Sequence, residues 1–251
     1  MSRLDGKRVV LTGAAGGIGS LVTAMLRDKG AHVTGVDRVD CPACDDAILA
    51  DLSTPEGLAK LSEQLAARSV DILVNSAGLQ YFGPIERQEP ANIALGYMVN
   101  LVAPATLIRA VLPQMQARKS GQIVNIGSVL GSINYPFFAT YSSSKAGLHG
   151  LSEGLRRECH GGGIDVTHVS PRAAKTGFNN AAVNRFMELT GMTADDPDHV
   201  AGQIVDAIVK RRRDVSIGFK ERMFIRLNAL LPGLIDAGIA SQTVTARQLF
   251  R

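Results

Sequence analysis

Apolar residues along this chain cluster in two alternating ways. Seven short runs, RVVLTG, HVTGVD, AILADL, DILVNSAG, QIVNIGS, IDVTHVSP and DVSIGF, are rich in β-branched residues and close on turn formers, as strands do. Between most of them, apolar positions recur at helical intervals, over 18–29, 55–68, 93–118, 142–158 and 198–213. This alternation predicts an α/β fold, a doubly wound parallel sheet of seven strands with right-handed crossovers and helices on both faces. Ligands of such sheets bind at the carboxyl ends of the strands. No linker, low-complexity tract or recurring unit divides the 251 residues, so a single domain is expected over 1–251.

The first strand runs into TGAAGGIG, which places Thr12, Gly13, Gly17, Ile18 and Gly19 between a strand and a helix. Glycines there let the backbone turn sharply and approach a pyrophosphate, which meets the free N–H groups of the helix start. The second strand ends at Asp37, whose carboxylate suits ribose hydroxyls and repels a 2′-phosphate, favouring NAD over NADP. Arg38 follows directly and offers the opposite, a pairing with that phosphate. A third motif, YSSSK, sets the phenol of Tyr141 and the amine of Lys145 one helical turn apart on one face.

With NSAG at 75–78, Asn100 within a helix and Ser128 closing IVNIGS, the chain resembles the short-chain dehydrogenase/reductase family, from about residue 8 to 176. The resemblance implies a Rossmann-like fold and a catalytic tetrad at Asn100, Ser128, Tyr141 and Lys145. It also implies cofactor contacts at Asp51, Leu52, Asn75, Ala77, Gly78, Pro171 and Thr176, beside those of the glycine turn, Asp37, Arg38, Tyr141 and Lys145. Ser128 would hold the substrate oxygen, Lys145 the nicotinamide ribose, and Asn100 a water leading to Lys145. A free phenol titrates near 10, and a nearby ammonium and a positive nicotinamide ring both favour its ionised form, which makes Tyr141 a usable acid/base.

The chain departs from the family pattern in three places. The Pro-Gly that usually follows the sixth strand reads Pro171-Arg172 here. Either Arg172 binds an anionic substrate group or it points outward and alters the loop. Residues 177–196 have little pattern and are expected to form a substrate lid. Their Phe178, Phe186, Met187 and Met192, with Tyr81, Phe82, Tyr135, Phe137 and Phe138, suggest a largely apolar pocket. The C-terminal extension, 220–251, lacks the common Asp-Gly-Gly ending and carries Met223, Phe224, Leu227, Leu230, Leu231, Leu234 and Ile235 at helical intervals, divided by Pro232. Three placements suit it, in this order: a cap on the pocket, a subunit interface, a membrane surface.

Composition narrows the reading further. The net charge of +4 gathers largely in Lys210, Arg211, Arg212 and Arg213 plus Lys220, Arg222 and Arg226, a solvated cluster at a helix end, so no nucleic-acid partner is expected. Three cysteines imply no disulfide framework, and Cys41-x-x-Cys44 finds a second half only in the distant Cys159 and His160, so no metal is expected. No apolar run reaches membrane-spanning length and the first strand starts early, so a soluble, cytoplasmic protein is expected. Ser143, Gly147, Gly150 and Gly154 line a second face of the YSSSK helix, where each interior glycine costs about 1 kcal/mol. Close packing against another helix would offset that cost; the family resemblance implies that this helix belongs to a second copy, in a homodimer or homotetramer, and packing within one subunit is the alternative.

The sequence therefore points to an NAD-dependent oxidoreductase that moves a hydride between cofactor and a secondary alcohol or ketone of small, largely apolar type. Two rivals remain, an NADPH-dependent carbonyl reductase and a nicotinamide-binding redox sensor without turnover.

Overall fold

The computed structural model describes residues 4–250, and the ends of the expected domain, residues 1–3 and 251, lie outside the described residues. Seven strands form one sheet: β1 (Arg8–Thr12), β2 (His32–Asp37), β3 (Asp46–Leu49), β4 (Ile72–Asn75), β5 (Gly121–Ile126), β6 (Ile164–Ser170) and β7 (Asp214–Ser216). Their spatial order is β3-β2-β1-β4-β5-β6-β7 and every pairing is parallel. Direction of winding reverses between β1 and β4, where Thr12 lies level with Asn75. A ligand crevice opens at such a reversal.

Strand side chains alternate between two core layers. Val9 and Leu11 of β1 join one layer while Val10 joins the other; Ile72 and Val74 of β4 are likewise split from Leu73. That is why these runs read as continuously apolar rather than alternating. The first layer packs beneath helices α1 (Gly17–Arg27) and α7 (Pro197–Val209). Opposite it lie α2 (Pro55–Ala67), α4 (Ala103–Ala117) and α5 (Ala139–Glu158). Cys41 sits in the first layer and Cys159 in the second, so the sheet separates the halves of the cysteine set.

Three departures from the expected elements have local causes, while the tail follows the expected helical spacing and its break at Pro232. The helix expected over 93–118 is α3 (Pro90–Tyr97) and α4 joined by a π-helical turn, Met98–Val102. Together they form a helical run, Pro90–Ala117, with a hydropathy of 1.5, so one segment does reach membrane-spanning length, contrary to expectation. Leu107, Ile108, Val111 and Met115 of that run are buried in the core. Residues 177–196, which read as patternless, contain α6 (Ala181–Thr190), started by Asn180, whose side chain accepts from Val183 N, and stopped by Gly191 at φ 68°. The tail folds as α8 (Phe219–Leu230) and α9 (Pro232–Gln248), broken at Pro232. Finally α7 ends short of the basic cluster, where Lys210 and Arg212 pair with Asp206, and Arg211 with Asp165.

Candidate active site

The glycine turn is closed by contacts that no side chain would fit. Gly13 adopts φ 73°, and a Cβ there would meet Ala77 Cα at 2.8 Å. At Gly19 a Cβ would stand 2.0 Å from the carbonyl oxygen of Gly13, and at Gly17 it would meet Thr176 Cγ2 at 2.8 Å. α1 begins at Gly17 with no side chain capping its first turn, which leaves backbone N–H groups for an anion. Asp37, at the end of β2, accepts from Ala15 N at 3.0 Å and Arg38 N at 2.7 Å, fixing an anionic group beside the turn. Asp51 accepts from Ser53 N and Oγ, and these hydrogen bonds hold its carboxyl below the usual range. This cradle, with an anion-ready helix start and an acid at the next strand end, fits a nicotinamide dinucleotide.

The same cleft, about 990 Å³, runs from this turn to the phenol. Gly13, Gly17, Ile18, Gly19, Asp37 and Arg38 line its first part. Asp51, Leu52, Ala77, Gly78, Ser128, Tyr141, Lys145, Pro171 and Thr176 line the cleft as well. α5 starts at Ala139, so Tyr141 and Lys145 sit in its first turns, both nearly inaccessible at 7% and 3% exposure. Ser128 caps the next short turn, its Oγ accepting from Leu130 N at 3.1 Å, and its hydroxyl lies close enough to the Tyr141 phenol to favour the ionised form slightly.

Burial governs the charges here. It pushes the Tyr141 phenol up to about 12, against a smaller downward pull from Ser128. The same desolvation brings Lys145 down to about 8. Lys145 Nζ donates to the Ile126 carbonyl at 2.9 Å and stands 6.0 Å from the centre of the Tyr141 ring. The expected lowering of the phenol is therefore not produced by the chain alone: the ammonium is turned to a backbone carbonyl, and the phenol is too deeply desolvated to ionise. Near neutral pH the buried phenol keeps its proton.

Three expected site residues lie beneath the cleft rather than along it. Thr12 Oγ1 accepts from Ser76 N and Ala77 N at 3.1 and 3.2 Å, stitching the end of β1 to the loop after β4. Asn75 donates to Asn125 Oδ1 at 2.8 Å within the buried sheet. Asn100, in the π-helical turn, bonds both the N–H and the carbonyl of Leu79 at 2.8 Å and donates to Ser144 Oγ at 2.9 Å. Its amide thus holds the segment after Gly78 rather than facing a ligand. A Cβ on Gly78 would lie 3.4 Å from Asn100 Oδ1 and 3.5 Å from Lys145 Nζ, so the two flank the same glycine.

Comparison with known proteins agrees with this geometry. The profile described as short chain dehydrogenase matches residues 7–185. The chain belongs to the short-chain dehydrogenase family. A ketoacyl reductase, HetN, of a Nostoc species is 32% identical over 232 residues, 86% of this chain and 80% of the relative. A short-chain dehydrogenase from Sphingobium yanoikuyae, solved in complex with NADPH, superposes with a TM-score of 0.76 at 25% identity, covering 92% of this chain and 95% of that one. A 4-hydroxyisoleucine dehydrogenase complexed with NADH does so with a TM-score of 0.74 at 29% identity, covering 84% and 96%.

In this short-chain dehydrogenase many apolar side chains line the cleft, some of them from the chain's own tail. Tyr135, Phe138, Phe178, Phe186, Met187 and Met192 line it, whereas Tyr81, Phe82 and Phe137 do not. Phe82 instead meets Phe250 edge-on and Phe137 stacks on it, with ring centres 5.1 and 5.4 Å apart. Phe224 and Leu227 of α8 and Ile235 and Ile239 of α9 face the cleft. Gln242 was not legible as a site residue; it lines the cleft and accepts from the Tyr135 hydroxyl, a partner 107 positions away. Arg172 follows neither sequence expectation. It donates to Thr193 O at 3.0 Å and pairs with Asp195 at 3.7 Å and Glu221 at 3.3 Å, strapping the loop after β6 to the segment after α6 and to α8. With two carboxylates on it, the guanidinium does not stand free for a substrate anion.

Proposed function

We propose that this short-chain dehydrogenase interconverts a ketone and a secondary alcohol, and that ketone reduction is the direction its site serves best near neutral pH. The observation that carries the reading is a buried phenol that lines the same cleft as Ser128, Lys145 and the glycine turn, with Lys145 Nζ 6.0 Å from its ring centre. When bound, the nicotinamide dinucleotide supplies or accepts the hydride. Tyr141 donates its proton to the carbonyl oxygen as charge develops there, and Ser128 holds that oxygen in line. Lys145 holds the nicotinamide ribose, and its positive charge favours the phenolate left after transfer. Asn100 acts as a positioning residue through the Leu79 backbone. Aromatic and aliphatic walls favour a largely apolar substrate.

The cofactor reading rests on Asp37, which favours NAD. Arg38 favours the alternative, NADPH, because its side chain also borders the cleft; the Sphingobium relative that carries NADPH supports the same alternative. A redox sensor has no use for a buried phenol beside a serine and a lysine. Titrating NADH and NADPH, then assaying aliphatic and aryl ketones with each, tests the reading. NADH-dependent reduction is expected; tight cofactor binding with no turnover on any ketone or alcohol would favour the sensor.

Self-association is part of the same proposal. A Cβ at Gly147 would meet Leu101 Cδ2 at 2.8 Å, which accounts for that glycine within one subunit. Gly150 and Gly154 would meet nothing within 4 Å, and this open face of α5 suits a helix from a second copy.

A further inference from the structure

Beyond the nucleotide cleft, three side chains from three elements converge at the solvent edge of the sheet. His149 lies one turn past Lys145 on α5, His168 is on β6 and Asp214 opens β7. His149 Nε2 is 2.9 Å from Asp214 Oδ2, and His168 Nδ1 is 3.7 Å from Asp214 Oδ1. The ring centres of the two imidazoles are 4.6 Å apart. We propose that His149, His168 and Asp214 form a binding site for zinc or a chemically similar divalent transition-metal ion, with a fourth position open to water.

Spacing is the first argument. Zinc bonds of about 2.0–2.2 Å at tetrahedral angles set ligand atoms roughly 3.3–3.6 Å apart. The separations of 2.9 and 3.7 Å straddle that range, and one ligand atom from each residue falls within 4.8 Å of the other two. Small side-chain shifts suffice to close the set around an ion.

Ligand chemistry is the second. Two imidazoles and one carboxylate suit zinc and its neighbours better than calcium or magnesium, which prefer oxygen alone. His168 is 1% exposed and is held in the sheet on β6, so its ring is fixed in place beside Asp214. Its Nε2 is wedged beneath Gly127, where a Cβ would meet it at 2.3 Å, which leaves Nδ1 as the atom facing Asp214. His149 and Asp214 are 35% and 42% exposed, so an ion and a water reach the site from solvent.

Position gives the site a consequence. β7 is only three residues long and ends the sheet, while Gly127 immediately precedes Ser128. An ion held here ties the catalytic helix and the edge strand to β6.

The test is a titration of the full chain, stripped with chelator, with cobalt(II) chloride followed by its visible ligand-field absorption, and with zinc chloride followed by thermal unfolding. About one equivalent of cobalt should give the intense spectrum of a four-coordinate site, and zinc should raise the unfolding temperature. His149→Ala and Asp214→Asn, both at accessible positions, should each weaken binding by at least about tenfold and remove the zinc shift, while Cys44→Ser leaves both unchanged. No spectrum and no shift, signals that survive both ligand substitutions, or signals lost in Cys44→Ser would each overturn the proposal. In the first case Asp214 merely bridges two imidazoles by hydrogen bonds.

Discussion

Lys145 reaches across from α5 to the backbone carbonyl of Ile126 at the end of β5, 2.9 Å away. That bond anchors the catalytic helix to the strand that carries Ser128 two residues later, so phenol, serine and amine share one rigid support. It also holds a cation in a place where water cannot reach it.

Stability should show the consequence of that burial. Lys145 titrates at about 8 in the fold against 10.5 for a free lysine, a penalty of about 3 kcal/mol on the charged form. Below pH 8 both folded and unfolded chains are charged at this position and the full penalty applies. Between 8 and 10.5 the unfolded chain binds more protons, so stability rises with pH and the penalty is gone above 10.5. Lys145→Met removes the charge but also the bond to Ile126, worth about 1 kcal/mol. The variant should be inactive yet more stable at pH 7 by about 1–2 kcal/mol in urea unfolding, with the advantage vanishing by about pH 10. Equal stabilities at pH 7 would contradict the buried-cation account.

Cofactor choice should follow the charge at Asp37. Asparagine keeps an acceptor for Ala15 N and removes only the charge, so Asp37→Asn isolates the electrostatic contribution. Its NADH affinity should fall by about tenfold and its NADPH affinity rise, because Arg38 then meets the 2′-phosphate unopposed. Fluorescence titration of both dinucleotides measures this; an unchanged ratio of affinities would remove Asp37 as the selector.

The open glycine face of α5 makes a prediction about assembly. Gly150→Leu adds bulk where nothing in the same chain lies within 4 Å, so the fold of one subunit should be undisturbed. Sedimentation should show an oligomer for the natural chain and a smaller species for the variant. A natural chain that stays monomeric at all concentrations would contradict the reading.

Legibility in the sequence followed the range of the interactions concerned. Strands were readable because the central ones are buried on both faces and so keep runs such as ILV of β4 apolar throughout. Tyr141 and Lys145 were readable because one helical turn relates them. Helix α6 was not, since its amphipathic stretch is short and its clearest signals, Asn180 before it and Gly191 after it, are single residues. The glycine-turn motif for Thr12, and the family resemblance for Asn75 and Asn100, pointed to the right region, but only three-dimensional partners show that their side chains support the cleft from below. His149, His168 and Asp214 lie far apart in the chain, and nothing local marks them as neighbours.

The most direct measurement is single-turnover ketone reduction by Tyr141→Phe, paired with cofactor titration. Removing only the hydroxyl leaves the ring packed against Phe178 and the glycine turn untouched. Turnover should fall by about 10²–10⁴-fold, the range of a lost general acid, while the dissociation constant for cofactor changes less than about threefold. Reduction by the phenylalanine variant within about tenfold of the natural chain would mean that the proton comes from elsewhere.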